Sequence, residues 1–512
     1  MMPLDLSIST QLTAALTPDL IVMGGAMLLL LVSVWGPESA SRARVVAVGT
    51  VLVCLAAIGA IVAMWLQGIT ALPGVIAIDN FRWASDIIFL VATIVTVMLA
   101  VDYAKRERMI VVESYVLLLL ATSGMMLLAA ARDLMLVFLG IELMSISVYV
   151  LAGLNRRSSK AAEAALKYFL LGAFSTGFLL YGIALIYGGT GSVNLQHIAA
   201  AIGARGALGN PMLMVGMALL LVGFGFKVAA VPFHMWTPDV YEGAPTPFTA
   251  YMAAAVKAAA FAAFLRVWIE AFPNARAAWL GPVTGLAIAT MFGGNIIALA
   301  QKNMKRLLAY SSIAHAGYLL LAVAAGTPRG ASAFLFYLVA YTLATMGAFG
   351  VVIALARYGE KNENIADYAG LWQTRPALAL AMAVFMLALL GFPIAGGIGF
   401  FAKWYVLQAA IEGPVPMVWP SVALVVASMI SAGYYLNVTI VMFMQPRPAG
   451  APEPERTPAL TELVIGATAI VILVLGIFPS RVVQWTCESV PGATLGTPCQ
   501  VEAPSAALGP QR

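Results

Sequence analysis

The chain has 512 residues, of which 62% are hydrophobic and only 10% are charged, and its mean hydropathy is +0.93. Soluble domains carry about 25% charged residues, so this composition excludes a soluble enzyme or a nucleic-acid-binding protein and indicates a polytopic membrane protein. The net charge is +5, and the three cysteines form no CxxC or Cys/His cluster, so zinc and iron-sulfur ligation have no support.

Apolar runs long enough to cross a bilayer recur along almost the whole chain. At about 20 residues for each crossing, they predict an all-α polytopic protein with about fourteen transmembrane helices. The N-terminus lacks a basic region followed by a small-residue cleavage site, so we expect the first span to be retained. The predicted spans are 18–36, 44–66, 84–103, 112–131, 133–153, 162–188, 211–230, 247–271, 279–300, 306–325, 331–357, 377–411, 418–444 and 459–478.

The distribution of positive charge predicts the orientation of the chain. With an external N-terminus, sixteen lysines and arginines fall in loops assigned to the inside and seven fall outside. The positive-inside rule therefore favours both termini on the outer side, which requires an even number of spans. An outer tail would also let Cys487 and Cys499 form a disulfide.

Two early spans carry charges. Asp79, Arg82 and Asp86, near the start of the third span, are interpreted as interfacial charges. Glu142 follows Asp133 by nine residues in the fifth span, which places it about 14 Å deep, near the middle of the bilayer. A carboxylate at that depth needs a cationic partner, or else it is protonated and hydrogen-bonded between helices.

The stretch Gly223–Pro247 combines a charge with helix breakers. It places Lys227 within an apolar segment and follows it with His234 and four prolines. Such a costly combination is typical of a functional site, although a lysine near a helix end can also extend its amine to the membrane surface. In the preceding span, Glu163 and Lys167 lie four residues apart and can pair on one helix face, either structurally or in proton handling.

Three more ionisable residues lie within later spans. Lys257 is flanked by alanines about 15 Å from the nearest breaker, and a second buried lysine near the first disfavours the charge of both. His315 lies near the midplane, either as a relay between lysines or as a packing residue. Lys403 follows the breaker-rich segment Gly391–Gly399, which must interrupt the twelfth span because a single helix there would be about 50 Å long.

The two halves of the chain show the same pattern, a helix break near a buried lysine. Spans four to eight therefore correspond to spans nine to thirteen, and an odd number of spans for each unit makes the two units inverted repeats, as in many transporters. The predicted organisation is helices one to three in 1–111, a first repeat in 112–271, a second repeat in 279–445, a last helix in 459–478 and a tail in 479–512.

Four segments of the sequence are characteristic: FLGIELMSISVYVLAG, FKVAAVPFHMWTPDVYEGAPTP, QKNMKRLLAYSSIAHAGY and GFPIAGGIGFFAKWYV. On these segments the sequence resembles, between residues 18 and 478, the antiporter-like membrane subunits of respiratory complex I, the bacterial NADH-quinone oxidoreductase. The resemblance implies two inverted five-helix repeats and one proton channel. It also implies that Glu142 and Lys227 form the input pair, that Lys257 and His315 form the central relay, and that Lys403 is the exit residue.

The implied function is proton translocation coupled to quinone reduction in partner subunits. No cofactor is expected in this chain, and the flavin, iron-sulfur clusters and quinone would belong to partners. Neighbouring membrane subunits and the lipid bilayer of the bacterial inner membrane are the expected contacts, with both termini in the periplasm. A subunit of a multi-chain cation/proton antiporter or of a membrane-bound hydrogenase is the alternative, and a stand-alone solute transporter is a more distant one.

Overall fold

A computed structural model describes residues 13, 15–35, 39–67, 74–109, 111–205, 209–394, 397–413, 415–448 and 456–490. Within these ranges the chain is helical, and the only extended pairings are isolated bridges between loops. The helices up to the middle of the chain are α1 (Thr17–Val34), α2 (Ala40–Leu66), α3 (Asn80–Arg106), α4 (Glu113–Ala130), α5 (Leu134–Ala152), α6 (Ser159–Thr190), α7 (Leu195–Arg205), α8 (Pro211–Lys227), α9 (Trp236–Gly243) and α10 (Thr246–Glu270).

The second part of the chain continues in the same way. Helix α10 contains a π-helical turn at Met252–Val256, and a 3-10 turn at Pro273–Ala275 leads into the next helix. The remaining helices are α11 (Arg276–Ala298), α12 (Met304–Ala325), α13 (Pro328–Leu355), α14 (Pro376–Leu390), α15 (Gly397–Ile411), α16 (Val418–Met444), α17 (Ala459–Ile477) and α18 (Ser480–Glu488), with short turns at Ile365–Tyr368 and Leu371–Thr374.

The predicted all-α membrane fold is confirmed. Twelve helices in the described part of the chain are long and apolar enough to cross a membrane. The two other predicted crossings, the seventh and the twelfth, are interrupted: α8 ends at Lys227 and α9 follows, while α14 ends at Leu390 and α15 begins at Gly397. Counted with these two broken helices, the observed crossings agree with the fourteen predicted.

Helix boundaries follow from local capping. The side chains of Asp79, Asp133 and Asn303 each accept a hydrogen bond from a backbone N–H in the first turn of α3, α5 and α12. These side chains satisfy donors that the helix itself leaves without partners. At the end of α14, Gly391 has a φ of 78°, a conformation that favours glycine, and this residue ends the helix where the sequence predicts a break.

The interior of the protein is built from a few almost completely buried helices. In the most apolar windows of α10 and α12, 94% of the residues are buried, compared with 33% in α1 and α2. Ionisable side chains on α10 and α12 are therefore surrounded by protein instead of lipid. This burial is the condition under which charged or polar groups persist at membrane depth.

The interpretation of Asp79, Arg82 and Asp86 as interfacial charges is wrong. Arg82 and Asp86 have no exposed surface, and Asp79 forms a hydrogen-bonded ion pair with Arg266 of α10 at 2.8 Å. The reason is tertiary: Asp19 of α1 reaches Arg82, and α10 packs along α3, so neighbouring helices cover the start of α3.

Part of the tail packs on the helical body. In α18, Trp485 stacks on Trp65 of α2 with ring centroids 6.0 Å apart, and Thr486 contacts Ser332 of α13 at 3.1 Å. Cys487 is disulfide-bonded, but its expected partner Cys499 lies outside the described residues, so the pairing stays a prediction.

Candidate functional site

Lys227 is the last residue of α8 and its amine is turned into the protein. The side chain is 5% exposed, and Nζ donates hydrogen bonds to Ser145 Oγ at 2.7 Å and Tyr149 OH at 3.3 Å. Both partners are on α5. The helix end stabilises the ammonium through the negative end of the helix dipole. Lys227 therefore does not extend its amine to the membrane surface, which was the alternative interpretation.

The helix break after Lys227 has its backbone groups satisfied by the protein. Trp236 Nε1 donates to the carbonyl of Phe226 at 3.1 Å, and the backbone N–H of Val231 donates to Thr290 Oγ1 of α11 at 2.9 Å. A broken helix is tolerated at membrane depth when protein groups supply such partners. The break thus places Lys227 at a helix end in the interior of the protein.

Glu142 lies on the same face of α5 as both partners of Lys227, because the three residues are spaced by three and four positions. Its side chain is half-buried, and its carboxylate forms no hydrogen bond or ion pair within the described residues. The Lys227 amine therefore reaches the face of α5 that carries Glu142, but the two side chains are not in direct contact. The amine is held by Ser145 and Tyr149 instead.

Lys257 follows the π-helical turn of α10 directly and is 2% exposed. Its Nζ donates to the backbone carbonyl of Ser312 at 2.7 Å and also contacts the Ser312 hydroxyl. Tyr341 OH of α13 donates to the same hydroxyl at 2.8 Å. Single π-helical turns inside α-helices are frequent at functional sites. Lys257 is thereby joined to α12 and α13.

His315 is held between two tyrosines in the interior of α12. Its Nδ1 lies 2.7 Å from Tyr337 OH, its Nε2 lies 3.0 Å from Tyr435 OH, and Tyr435 OH lies 2.5 Å from Ser311 Oγ. A neutral imidazole has one donor and one acceptor, and tyrosine hydroxyls can rotate to match either tautomer. This arrangement allows proton transfer through the ring.

Lys403 is on α15, directly after the second helix break. Its Nζ donates to the carbonyl of Leu390, the last residue of α14, at 2.8 Å, and it lies 4.7 Å from the ring centroid of Tyr318. The break frees that carbonyl, because the last carbonyls of a helix have no partner within it. Lys227 therefore ends the first half of one broken helix, whereas Lys403 belongs to the second half of the other and binds the end of its first half.

A small cavity of about 10 Å³ is lined by both His315 and Lys403. A cavity of about 10–15 Å³ is just large enough for one water molecule, so this one has room for a single bridging water. The Lys257 cluster and the His315 cluster meet at the adjacent residues Ser311 and Ser312, and the cavity extends this series to Lys403. The residues that line the cavity are His315, Tyr337, Ala340, Tyr341, Ala388, Leu389, Gly399, Ala402 and Lys403.

No hydrogen bond among the described residues joins Lys227 to Lys257. The space near Lys227 is filled by aromatic rings: Tyr149 packs edge-on against Tyr168 at 4.8 Å, and Tyr168 stacks on Trp236 at 4.4 Å. The structure thus contains two hydrogen-bonded clusters, one at Lys227 and one from Lys257 to His315, and Lys403 faces the second cluster across the cavity.

Sequence reasoning missed the tyrosine hydroxyl groups within these clusters. Tyr149, Tyr337, Tyr341 and Tyr435 lie in apolar spans, where aromatic residues are usually packing residues. The available signal was chemical, because a tyrosine in such a span carries a hydroxyl that must find a partner.

The predicted pair of Glu163 and Lys167 belongs to a charged cluster at the N-terminal end of α6. Lys167 Nζ lies 2.6 Å from Glu163 and 2.8 Å from Asp239 of α9. Arg306 of α12 bridges Asp239 and Glu242, both at 2.9 Å. The cluster is partly exposed and links three helices, so the local pairing is observed together with a wider network.

His234 lies in the turn between α8 and α9, and the structure does not bring it into hydrogen-bond contact with the lysines. It is half-buried, and its Nδ1 is buried without a hydrogen-bond partner in the described part of the chain. The same ranges contain no group of three His, Cys, Asp or Glu side chains arranged to hold a metal ion.

The loop after α13 contributes a further ion pair at the start of α12. Lys305 Nζ donates to the carbonyl of Ala244 at 2.9 Å and to Glu360 at 3.1 Å. Burial raises the pKa of the Glu360 carboxyl, but the charge of Lys305 and the hydrogen bonds from Thr246 outweigh it and leave that pKa below its usual value. Glu360 is thus an anionic anchor between this loop and the start of α10.

Comparison with known proteins agrees with this geometry. Residues 131–445 match the family described as NADH:quinone oxidoreductase/Mrp antiporter, TM. The chain is 52% identical over 479 residues to NADH-quinone oxidoreductase subunit N of Gemmatimonas aurantiaca, covering 92% of both chains. It is 46% identical to subunit N of Trichlorobacter lovleyi, covering 92% of this chain and 96% of the relative.

A solved structure shows the same fold. One chain of respiratory complex I from Thermus thermophilus with bound aureothin superposes with a TM-score of 0.77 and 37% identity, over 92% of this chain and 100% of that chain. The match to the family covers more than half of the sequence and includes every candidate residue from Glu142 to Lys403. This chain therefore belongs to the NADH:quinone oxidoreductase/Mrp antiporter transmembrane family.

Proposed function

We propose that this chain is the proton-translocating membrane subunit of an NADH-quinone oxidoreductase, in the place that subunit N has in its relatives. The observation that carries the proposal is the series of buried bases at membrane depth, Lys227, Lys257, His315 and Lys403, each held by hydroxyl or carbonyl groups. Buried ionisable residues within spans mark ion and proton pathways. The chain acts as part of an enzyme complex and has no redox role of its own in this proposal.

The proton is moved by changes in charge. A nearby carboxylate stabilises an ammonium in a site of low dielectric constant, so Lys227 takes up a proton when Glu142 is close and releases it when the two separate. The absence of contact between them corresponds to the separated arrangement. The proton then passes through water to Lys257, through Ser312, Ser311, Tyr435 and His315, and across the cavity to Lys403.

Accessory roles are proposed for three residues near the inner side. Glu163 and Lys167 lie in the partly exposed cluster between α6 and α9, where protons from the inner aqueous phase can enter. His234 lies in the turn that follows Lys227, and its unpartnered nitrogen can bind water there. These placements make the three residues candidates for the entry side of the pathway.

Two inverted repeats explain why the same backbone bridge occurs once in each half of the chain. Asp133, the N-cap of α5, forms an antiparallel bridge with Asn194 after α6, and Asn303, the N-cap of α12, forms the same bridge with Asn364 after α13. In the predicted topology the first bridge is on the outer side and the second on the inner side. Inverted units produce this relation. We propose that the repeats are 112–271 and 279–445, preceded by 1–111 and followed by 459–478 and 479–512.

The energy for translocation comes from elsewhere in the complex under this proposal. Flavin, iron-sulfur clusters and quinone belong to partner subunits, and changes of charge and conformation there bias the pair of Glu142 and Lys227. Other membrane subunits are the expected neighbours within the bacterial inner membrane. The distribution of the loop charges supports an orientation with both termini on the periplasmic side.

The test uses the whole complex in inverted membrane vesicles. We expect Lys227→Ala to abolish proton pumping by removing the base that takes up the proton, while the complex still assembles. Lys302→Ala is the control, because Lys302 is an exposed loop lysine. Proton uptake is measured by fluorescence quenching together with NADH oxidation. Normal pumping by an assembled Lys227→Ala complex would refute the proposal.

A second candidate is a subunit of a cation/proton antiporter, which the family description itself includes. The subunits that co-purify with the chain distinguish the two. Partners with flavin and iron-sulfur clusters support the oxidoreductase, whereas sodium-driven proton movement without NADH oxidation supports the antiporter.

A further inference from the structure

A cluster of seven charged side chains lies where α1, α3 and α10 meet, at the end of α3 that the predicted topology places outside. Six of them are three arginines and three carboxylates that pair with one another and balance in charge. The seventh member, Asp86, is a surplus carboxyl group. The ion pairs are Arg82 with Asp19, Arg266 with Asp79 at 2.8 Å and with Glu270 at 2.7 Å, and Arg132 with Glu270 at 2.8 Å.

Asp86 is completely buried and poorly satisfied. Its nearest cationic atom is Arg82 Nε, 3.5 Å away, and neither of its carboxyl oxygens has a hydrogen-bond partner in the described residues. The polar atoms around it are in the same state, since Arg82 Nε, Trp83 Nε1 and Ser85 Oγ are also buried without partners. Buried polar atoms rarely remain unpaired, so this concentration of them on adjacent turns of α3 indicates bound water.

The charge balance favours a proton on Asp86. The charged groups that interact with it are Arg82 and Asp79 of its own helix, Asp19 of α1 and Arg266 of α10. Two cations and two anions already compensate each other there. An additional anion in a buried site would be unpaired and strongly disfavoured. A protonated Asp86 leaves the cluster neutral and gives its carboxyl group a donor for the bound water.

Three hydroxyl groups in hydrogen-bond contact lie between Asp86 and Lys257, separated by seven residues from Asp86 on α3 and by six residues from Lys257 on α10. Thr93 follows Asp86 by seven residues, on the same face of α3 and about 10 Å further into the membrane. Thr93 Oγ1 lies 2.8 Å from Thr122 Oγ1 of α4, which lies 2.8 Å from Tyr251 OH of α10. Tyr251 precedes Lys257 by six residues, and all three hydroxyl-bearing residues are fully buried.

We propose that Asp86 is a proton-holding site on an outlet that branches from Lys257 and runs through Tyr251, Thr122 and Thr93 to the outer face. This proposal depends on the proposed function, because it adds a second outlet to the proton pathway proposed above. In each transfer, the protonated carboxyl group of Asp86 first releases its proton to the outer aqueous phase. The ammonium of Lys257 then loses a proton, water and hydroxyl groups carry it, and the Asp86 carboxylate gains it, which restores the neutral cluster.

The competing explanation is that Asp86 only positions Arg82. Thr93 separates the two explanations, because its hydroxyl is on the outlet but Thr93 is eleven residues, about 16 Å, from Arg82 along α3. Thr93→Val removes this hydroxyl with little change of shape. Thr96→Val is the matched control: Thr96 is equally buried on the same helix, and its hydroxyl donates only to the carbonyl of Ala92 at 2.8 Å.

The experiment measures protons delivered for each NADH oxidised by the assembled complex in inverted vesicles. We expect Asp86→Asn and Thr93→Val to lower this ratio and Thr96→Val to leave it unchanged. If Asp86→Asn and Thr93→Val keep the ratio of the Thr96→Val complex, the outlet is overturned. Lys227→Ala, measured in parallel, distinguishes failure of the outlet proposal from failure of the proposed function. If Lys227→Ala stops pumping while Thr93→Val leaves the ratio unchanged, only the outlet is rejected. If Lys227→Ala pumps normally, the proposed function is rejected.

A second measurement covers the case in which Asp86→Asn prevents assembly. Infrared difference spectra of the turning-over complex should contain a carbonyl band of a protonated carboxyl group that shifts in Asp86→Glu. An Asp86→Glu complex whose carboxyl bands match those of the unmodified complex would contradict the proposal.

Discussion

The substitution Gly294→Ala tests whether the close contact between α11 and α12 sets the geometry of the candidate site. A Cβ atom at Gly294 would lie 2.5 Å from the backbone nitrogen of Ala314 and 2.9 Å from the carbonyl oxygen of Tyr310. Real Cβ contacts are essentially never closer than 3.0 Å and are ordinary from 3.4 Å. The two helices must therefore separate by about 0.5–0.9 Å, since the atoms in contact are backbone and cannot rotate away.

Such a displacement acts directly on His315, the residue after Ala314. Its two hydrogen bonds, at 2.7 and 3.0 Å, leave little tolerance within the usual range of about 2.5–3.2 Å. A misplacement of about 1 Å can lower a catalysed rate by about 100-fold. Overpacking of this kind also costs about 1–3 kcal/mol of stability, which a complex of this size can absorb.

The assay is proton pumping for each NADH oxidised, after co-purification has shown that the complex is assembled. Gly285→Ala is the control, because Gly285 is on the same helix and a Cβ there would meet nothing within 4 Å. We expect Gly294→Ala to lose most of its pumping and Gly285→Ala to retain it. Equal pumping by the two assembled complexes would refute the reasoning that the close contact of α11 and α12 sets the geometry of His315.

Two further predictions concern single side chains. Tyr435→Phe should strongly reduce pumping, because it removes the hydroxyl between Ser311 and His315, whereas Tyr405→Phe should not, because the Tyr405 hydroxyl has no hydrogen bond in the described residues. Glu360→Gln should lower thermal stability at pH 7 by about 1.5–3 kcal/mol, the contribution of a hydrogen bond to a charged group. Since the folded-state pKa of Glu360 is lowered, its stabilisation is present above the ordinary glutamate pKa and is lost as the pH falls through the lowered value, so the difference between the two proteins should vanish in acid. A stability difference that does not change with pH, or equal pumping by the two tyrosine variants, would contradict these predictions.

The sequence predicted the features that depend on local chemistry. Hydropathy and spacing identified the crossings, and glycine and proline identified both helix breaks. The reason is that backbone groups within a membrane are hydrogen-bonded inside a helix, so a run of helix-breaking residues marks an interruption. The depth of Lys257 and the position of Lys403 after a break followed from counting residues. Each of these properties is contained in a window of about 20–35 residues.

The partners of the buried groups were decided only by the tertiary structure. Lys227 binds Ser145, 82 positions away, and Asp86 is buried because α1 and α10 cover a helix end that the sequence alone presents as a membrane interface. The tyrosines around His315 come from α13 and α16, and in the sequence they cannot be distinguished from packing aromatics. The position of a residue along a helix determines its depth and the helix face on which it lies. Long-range packing determines which group of a neighbouring helix faces it, and therefore whether a buried charge is paired, hydrated or without a partner.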